Sequence, residues 1–292
     1  MFLDKLLAAM HTNRSMICVG LDPDYAHLPA HLPRTADGII SFNRALIEAT
    51  SDLVCAFKPN IAFYEALGRD GWRVLDATLR AIPACIPTIL DAKRGDIGST
   101  AEGYARAYLG PDAQVSCDCI TINPYLGLDS LEPFAAMAQN QGKGIAVLVR
   151  TSNPGAQDFQ DLPVNGAPLW TRVGEKLQTL EARLLGQSGF SSLMVVCGAT
   201  WPQDARTLRS ILPKSLFLVP GYGTQGGGAR DALAGLIPGL NGHEGGVVSS
   251  SRGILYPKAS AQAASLQMWR STFDENLQQN LADLRAASEA VI

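Results

Sequence analysis

The feature that most constrains this chain is a regular alternation of short apolar runs with longer amphipathic segments. The apolar runs are nearly continuous, as expected for parallel strands that are buried on both faces. The predicted strands span residues 15–22, 53–60, 86–94, 117–124, 144–152, 192–200, 215–223 and 245–253. The predicted helices span residues 37–51, 62–82, 99–109, 128–140, 168–187, 202–212, 228–236 and 261–289. This order predicts a sheet of parallel strands covered by helices.

Eight strand–helix units predict an α/β fold in which the strands close into a (β/α)8 TIM barrel. A doubly wound open sheet fits the same alternation, but the count of eight and a final helix at about 261–289, which would close the barrel, favour the barrel. Since no linker or low-complexity tract divides the chain, we predict a single barrel domain over residues 1–292. The longest predicted loop, residues 153–167, follows the fifth strand. A capping box of Ser99 and Glu102 is predicted to open the third helix.

The composition limits the classes of function. The chain has 24 basic and 27 acidic residues, so its net charge of −3 predicts no nucleic-acid partner. No apolar run approaches the length of a membrane span, and Asp4 and Lys5 interrupt the N-terminal apolar segment, which argues against a signal peptide. The six scattered cysteines are predicted to be reduced thiols, which favours a cytoplasmic protein without a membrane partner. Charged residues are only 17% of the chain, which loosely suggests an oligomer.

Polar residues follow the carboxyl ends of nearly all the predicted strands. In a TIM barrel these ends converge on one opening, called here the mouth, where the catalytic residues lie. In chain order the residues are Asp22, Lys58, Asp91 with Lys93, Asn123, Ser152, Thr200, Pro220 with Gly221, and Arg252. Charged groups are costly at strand ends that face a barrel interior, so stability alone does not account for them. The pattern predicts a catalytic mouth.

The densest group of charges is the Asp-Ala-Lys-Arg-Gly-Asp segment that begins at Asp91. Asp91 and Lys93 are two residues apart on an extended strand, so both should point into the mouth, whereas Arg94 points to the other side. Asp96 follows the turn, and a solvated strand end with Asp96 at the start of a helix is the plainer alternative. With Lys58 on the neighbouring strand, two lysines and two aspartates are predicted to converge. Two such ammonium groups are compatible only if carboxylates alternate with them.

A glycine-rich loop, VPGYGTQGGG at 219–228, follows the seventh predicted strand, and SSSRG at 249–253 ends the eighth. TIM barrels frequently bind phosphate between these two units. Glycines let backbone N–H groups approach phosphate oxygens, and Arg252 can bind them through two hydrogen bonds. A glycine loop without a ligand is the alternative. The four histidines and the Cys117–Cys119 pair lack metal-ligand spacing, so no metal site is predicted.

These residues together resemble a known family, orotidine 5′-phosphate decarboxylase, in its longer bacterial type-2 branch. The matching motifs cover nearly the whole chain in order. They are GLDPD (20–24), FKPNIAFYEALG (57–68), DAKRGDIGSTAEGYA (91–105), TINPYLGLDSLEPF (121–134), VRTSNPGA (149–156), VPGYGTQGGG (219–228) and SSSRGI (249–254). Related barrels share the Asp-x-Lys-x-x-Asp core, so the specificity of the match comes from its combination with Lys58, Ser152, Gln225 and Arg252.

The resemblance implies a decarboxylation of orotidine 5′-phosphate to uridine 5′-phosphate, the last step of de novo pyrimidine nucleotide synthesis, without a metal or other cofactor. It implies a charge array of Lys58, Asp91, Lys93 and Asp96, with Lys93 as the proton donor to pyrimidine C6 and Asp91 beside the departing carboxylate. The substrate-binding residues that it implies are Asp22, Thr100, Ser152, Pro220, Gln225, Ser251 and Arg252.

Individual binding roles follow from the same resemblance. Asp22, with Lys58 and Asp96 of the charge array, would bind the ribose hydroxyls; Ser152 would bind the pyrimidine edge, and Gln225 with Arg252 would bind the phosphate. The resemblance also implies a homodimer with shared active sites, in which Asp96 and Thr100 serve the site of the partner.

Three other functions remain open from the sequence. One is a metal-dependent sugar-phosphate lyase of the same superfamily, although such barrels place a metal-binding glutamate where this chain has Lys58, whose ammonium group would repel a divalent cation. Another is an aldolase that forms a Schiff base on Lys58 or Lys93. The third is a non-catalytic protein that binds a phosphate or a nucleotide.

Overall fold

The computed structural model describes residues 1–223, 226–239, 242–256 and 263–289. At its centre lie eight strands, and every pairing between neighbours in this sheet is parallel. The strands are β1 (Ile17–Leu21), β2 (Ala56–Pro59), β3 (Ile89–Arg94), β4 (Cys119–Ile122), β5 (Gly144–Arg150), β6 (Ser191–Cys197), β7 (Ser215–Val219) and β8 (Gly246–Ser250). All residues of β1, β4, β7 and β8 are buried, as their continuous apolar character predicts.

The eight strands form a nearly closed ring. Their order is β2-β1-β8-β7-β6-β5-β4-β3, so β2 and β3 are the two ends. These ends meet through two single parallel bridges, Phe57 with Thr88 and Asn60 with Asp91, which we call the β2–β3 junction. The predicted (β/α)8 TIM barrel is therefore confirmed, and the open doubly wound sheet is wrong.

Helices alternate with the strands along the chain. They are α1 (Phe2–Asn13), α2 (Ala36–Thr50), α3 (Ile61–Glu65), α4 (Gly71–Ala81), α5 (Gly98–Leu109), α6 (Leu128–Gln141), α7 (Gln157–Gln160), α8 (Leu169–Arg183), α9 (Pro202–Ile211), α10 (Ala229–Ala232), α11 (Arg252–Leu255) and α12 (Leu266–Glu289). Short 3-10 turns lie at Tyr25–His27, Gly68–Asp70, Pro124–Leu126 and Pro154–Ala156. Two small antiparallel hairpins pair Pro163–Val164 with Ala167–Pro168, and Ile237–Gly239 with Gly242–Glu244. In these described ranges, no helix is both long and apolar enough to cross a bilayer.

Two local predictions are wrong. The helix predicted over 62–82 is divided into α3 and α4, because Gly68 turns the chain with a φ of 62° and Gly71 packs so closely that a Cβ there would lie 2.0 Å from the Tyr64 carbonyl oxygen. The predicted capping box is absent as well. Helix α5 begins at Gly98, whose φ is 53°, and its N-cap Ile97 makes no side-chain capping bond, so Ser99 already lies inside the helix.

The two terminal helices complete the core. Phe2 and Leu3 of α1, a helix that the sequence analysis did not predict, are buried at the amino ends of the strands, and Phe2 packs against Gly144 of β5. One face of α12 is buried through Trp269, Phe273, Leu277, Leu281 and Leu284. Leu266, predicted on that face, is 41% exposed at the first turn. Residues 261–262 of the predicted last helix lie outside the described residues.

Candidate active site

The carboxyl ends of the strands surround an open cavity of about 680 Å³. Seven of the residues predicted from the sequence line it: Asp22, Lys58, Asp91, Lys93, Ser152, Pro220 and Ser251. They come from strands or loops on opposite sides of the ring, because only the mouth brings all the loops together. The cavity is therefore the candidate active site.

The centre of the charged side is Asp91. One of its carboxylate oxygens, Oδ2, accepts a hydrogen bond from Lys58 Nζ at 3.0 Å, and the other, Oδ1, accepts one from Lys93 Nζ at 2.6 Å. The two lysines differ in exposure, since the Lys58 side chain is 8% exposed and the Lys93 side chain is 51% exposed. Lys58 thus binds Asp91 from the buried side, whereas the Lys93 ammonium group extends into the open cavity.

Three pKa shifts describe the electrostatics of this group. Burial tends to raise the pKa of Asp91, but the charges of Lys58 and Lys93 outweigh it and lower that pKa well below its usual range. Burial tends to lower the pKa of Lys58, but Asp91 and Asp22 outweigh it and raise that pKa. Burial raises the pKa of Asp22, which the charge of Lys58 and a hydrogen bond from Ser251 offset only in part. Asp91 and Lys58 are accordingly a fixed ion pair at neutral pH.

Two neutral residues, Asn60 and Thr121, donate hydrogen bonds to the carboxylates of Asp22 and Asp91. The sequence analysis did not identify either of them. Asn60 donates from its backbone N–H to Asp22 Oδ1 at 3.2 Å and from Nδ2 to Asp91 Oδ2 at 3.4 Å. The hydroxyl of Thr121, in β4, donates to Asp91 Oδ1 at 3.1 Å. Thr121 is 1% exposed. Both residues lie in the motifs quoted above, but no charge marks them as part of a site.

The backbone of Lys93 lies in the left-handed region, with a φ of 48°. Among the described residues, only Arg14, Lys93 and Asn165 combine a side chain with a positive φ. Such a conformation costs on the order of 1–3 kcal/mol, and its occurrence at a functional side chain indicates that the surrounding structure imposes it.

Beyond Lys93 the chain leaves the cavity. Arg94 points outward, where its guanidinium group contacts Glu65 at 2.7 Å and lies over the Tyr104 ring. Asp96 does not line the cavity; its Oδ1 accepts the backbone N–H of Ile97 at 2.8 Å, and Thr100 is exposed. Asp96 is therefore not among the residues that line the cavity of its own chain, and its predicted convergence with the lysines stays a prediction. The second carboxylate near Lys58 is that of Asp22.

On the side of β7 and β8, the described residues that line the cavity are uncharged: Leu218, Pro220, Gly221, Tyr222, Ser249 and Ser251. Gly221, Gly223 and Gly226 all have positive φ values, and the N–H of Gly223 donates to the Gly227 carbonyl at 3.0 Å. Ser251 fits closely over Gly20 of β1, where a Cβ would lie 1.7 Å from its hydroxyl oxygen. Two predicted phosphate ligands cannot be placed, because Gln225 and the side chain of Arg252 lie outside the described residues.

The predicted loop 153–167 is tied to the barrel by a buried arginine. Arg150, at the end of β5, is 2% exposed and forms ion pairs with Asp161 and Asp204, each at 2.8 Å. Gln160 also binds Thr151 through two hydrogen bonds, of 3.0 and 2.8 Å. The loop therefore holds Thr151 and Gln160 against the cavity next to Ser152.

Within residues 1–223, 226–239, 242–256 and 263–289, no group of three or more histidine, cysteine, aspartate or glutamate side chains is placed to hold an ion. Cys117 and Cys119, which the sequence analysis assigned to the core, are 2% and 0% exposed.

Comparison with known proteins gives consistent matches. The family model for "Orotidine 5'-phosphate decarboxylase / HUMPS family" matches residues 15–266. A protein of Herpetosiphon aurantiacus named orotidine 5′-phosphate decarboxylase is 47% identical over 265 residues, which are 90% of this chain and 92% of that protein. A protein of the same name from Thermomicrobium roseum is 45% identical, over 90% of this chain and 89% of its own.

Solved structures agree with the sequence matches. A putative orotidine 5′-phosphate decarboxylase from Streptomyces avermitilis superposes with a TM-score of 0.80 at 31% identity, over 99% of this chain and 96% of that one. The OMP decarboxylase of Leishmania donovani gives a TM-score of 0.75 at 33% identity, over 98% of both chains.

Proposed function

The chain belongs to the orotidine 5′-phosphate decarboxylase family, and we infer that it converts orotidine 5′-phosphate into uridine 5′-phosphate and carbon dioxide. The bacterial relatives support the longer bacterial branch of the family. The observation that carries the mechanism proposed below is the alternation of Lys58, Asp91 and Lys93 at the mouth, with nitrogen–oxygen distances of 3.0 and 2.6 Å.

Lys93 is the proposed proton donor. Loss of carbon dioxide leaves an electron pair in the plane of the pyrimidine at C6, where the ring stabilises it poorly. An ammonium group fixed beside C6 stabilises this charge as it develops, because no solvent has to reorganise. The same group then donates a proton to C6 and completes the reaction. Lys58, Asp91 and Lys93 all line the cavity, and the Lys93 side chain, which is half-exposed, is the most open of the three.

Asp91 is proposed to lie beside the carboxylate that departs, and to hold the Lys93 ammonium group in place. Its lowered pKa keeps it ionised throughout the physiological range, so it accepts both ammonium groups at once. Lys58 neutralises part of that charge inside the protein, which allows a second carboxylate to approach from the substrate. The proposed reaction places these three charges on side chains of one chain, and the fourth member of the array, Asp96, is proposed below to come from the partner subunit.

The substrate contacts are proposals that follow the family resemblance. Asp22 and Lys58, which face one side of the cavity, bind the ribose hydroxyls, and Ser152 binds the pyrimidine edge. Pro220 and Ser251 line the cavity toward the glycine-rich segment, and Ser251, which follows β8, adjoins Asp22 at the end of the neighbouring strand β1. Gln225 and Arg252 are proposed to bind the phosphate, because a charge-assisted pair with arginine is among the strongest hydrogen bonds to such a group.

We also propose a homodimer in which Asp96 and Thr100 complete the site of the partner. Two observations support it. Asp96 lies outside the cavity of its own chain, and the exposed surface next to it carries large apolar side chains, with Ile97 58% and Tyr125 82% exposed. We further propose that residues 1–292 form one barrel domain, while the cytoplasmic location stays a prediction.

A direct assay tests the function. Purified protein with orotidine 5′-phosphate and a strong chelator should show the loss of absorbance that accompanies decarboxylation, at the same rate as without chelator. Loss of turnover in chelator would favour the metal-dependent lyase, and binding without turnover would favour the non-catalytic protein. Covalent trapping of a carbonyl substrate by borohydride on Lys58 or Lys93 would instead indicate an aldolase.

A further inference from the structure

The pairing of β3 with β4 contains an irregularity at the charged side of the mouth. Leu90 pairs with Ile120, and Arg94 pairs with Ile122. Between these two positions, three residues of β3 (Asp91, Ala92 and Lys93) lie opposite one residue of β4, Thr121. A bulge of this kind bends the strand and redirects its side chains.

The hydroxyl of Thr121 takes the place of a β4 backbone carbonyl group as the acceptor for the N–H groups of Ala92 and Lys93. It accepts hydrogen bonds from the backbone N–H groups of Ala92 and Lys93, both at 2.9 Å, and it donates to Asp91 Oδ1 at 3.1 Å. A hydroxyl has one proton to donate and two lone pairs to accept with, so this one is fully used. Thr121 is 1% exposed and lies at the wall of the cavity.

This single oxygen therefore joins the two reactive groups. It binds the backbone of Lys93 in its left-handed conformation, with φ of 48°, and it binds the carboxylate to which the Lys93 ammonium group is paired. Without it, the buried N–H of Ala92 and the partly buried N–H of Lys93 would both lose their hydrogen-bond partner. The bulge would then relax toward a regular strand, and relaxation would turn the Lys93 side chain away from the cavity.

We propose that Thr121 is a positioning residue for the decarboxylation: through its three hydrogen bonds to β3, it sets where the Lys93 ammonium group and the Asp91 carboxylate stand relative to the substrate. This inference rests on the proposed roles of Lys93 and Asp91. It concerns kcat rather than substrate affinity, because the proposed phosphate and ribose contacts lie on other strands.

Three variants test the proposal in the full-length protein. Thr121→Val keeps the shape but removes the hydroxyl, and we expect kcat to fall at least about tenfold while KM changes less than about threefold. Thr121→Ser restores a hydroxyl and should return kcat to within about threefold of wild type. Thr88→Val is the matched control, because the Thr88 hydroxyl is also buried and also bonds a carboxylate and a backbone N–H, but at the other end of β3. It should lower the melting temperature and leave kcat unchanged.

A kcat of Thr121→Val within about twofold of wild type would overturn the proposal, as would a failure of Thr121→Ser to restore kcat. An equal loss of kcat in Thr88→Val would show a merely structural effect. If Thr121→Val does not fold, Thr121→Cys takes its place, since a thiol is a poor hydrogen-bond partner. It should lose kcat where Thr121→Ser does not.

Hydrogen exchange of residues 89–97 gives a readout that needs no turnover. We expect exchange at Ala92 and Lys93 to be at least about tenfold faster in the variant without a hydroxyl, and unchanged exchange would contradict the proposal. Absence of turnover in the wild type would refute the proposed function, whereas a normal wild type beside an unaffected Thr121→Val would refute this inference alone.

Discussion

The two sides of the mouth are built by different means. On the side of β1 to β4, charged side chains are fixed by one another and by neutral partners, as in the 3.0 Å bond between Lys58 and Asp91. On the side of β7 and β8, the described residues that line the cavity are uncharged, such as Pro220, Tyr222 and Ser251, and the adjoining glycines have positive φ values. The first side presents charged groups that are paired with one another, whereas the described residues of the second side present uncharged side chains and backbone groups.

This difference matches the two tasks of the proposed reaction. A developing carbanion needs a charge that is already in place, since reorganisation would raise the barrier. A phosphate far from the reacting carbon needs many hydrogen-bond donors. Its binding energy can be used to hold the substrate against the charged side of the mouth. The comparison predicts that damage to the first side lowers kcat, and that damage to the second depends on whether the substrate carries a phosphate.

The largest effect is expected from Lys93→Ala. Loss of the ammonium group removes both the stabilisation of the carbanion and the proton donor, so turnover should fall at least about a thousandfold, or about 4 kcal/mol of barrier. Thermal unfolding should show an intact fold. Lys176→Ala, at an exposed lysine of α8, is the matched control and should be fully active. Activity of Lys93→Ala within about tenfold of wild type would refute the assignment.

The second side is tested by Arg252→Ala. We expect kcat/KM for orotidine 5′-phosphate to fall about a hundredfold, because a charge-assisted contact with the phosphate is lost. Turnover of the nucleoside without phosphate should change little. Arg206→Ala, an exposed arginine of α9, serves as the control for the loss of one positive charge. Equal losses with both substrates would mean that Arg252 acts structurally.

Mixing two inactive variants tests whether one chain contains the whole charged side. If Asp96 serves the partner's site, Lys93→Ala and Asp96→Ala chains that exchange subunits should form mixed dimers with one intact site each. Random exchange makes half of the dimers mixed, so about a quarter of wild-type activity should return, by the symmetry of a two-fold dimer. Demonstrated exchange without recovered activity would place Asp96 in the site of its own chain.

The smallest expected effect is a difference in stability between variants of Asp91 and Asp22, the two carboxylates of the charged side. The folded pKa of Asp91 is lowered, so its charge stabilises the fold above its unfolded pKa of about 3.9, and this stability is lost as the pH falls further. The folded pKa of Asp22 is raised, so its contribution is present below about pH 3.9 and is lost as the pH rises through the folded pKa.

At pH 7, Asp91→Asn should therefore lower the melting temperature by at least about 5 °C, because it removes one partner of a buried ion pair. Asp22→Asn should raise the melting temperature by about 1–3 °C. Both differences should shrink at about pH 3. Shifts of the same sign in the two variants at pH 7 would contradict the electrostatic difference between them.

The sequence predicted the barrel and most of the mouth because both depend on local patterns. Burial on two faces makes a strand continuously apolar, and a period of two places Asp91 and Lys93 on one side. The irregularity between Leu90 and Arg94 could not be predicted, since lysine does not favour the left-handed backbone found at Lys93, and Thr121, whose hydroxyl accepts the N–H of Lys93, lies 28 residues away. A threonine inside an apolar strand otherwise indicates only β propensity.

Contacts between distant segments were missed for the same reason. The ion pair from Arg150 to Asp204 joins residues 54 apart in sequence, and no local pattern marks either of them as a partner. Asp96 was predicted next to Lys58 from spacing alone, but its position depends on the turn after β3. Tertiary context therefore decided which of the two aspartates, Asp22 or Asp96, stands near Lys58.

The β2–β3 junction links the chemistry of this protein to the assembly of its barrel. Its two bridges are the sparsest contact in the ring, and one of them, Asn60 with Asp91, lies beside the ion pair of Lys58 with Asp91, which crosses the same gap. Lys58 belongs to one end of the strand order and Asp91 to the other. The charged pair that the proposed reaction uses therefore exists only where β2 and β3 lie side by side, and the same ion pair joins the two ends of the strand order.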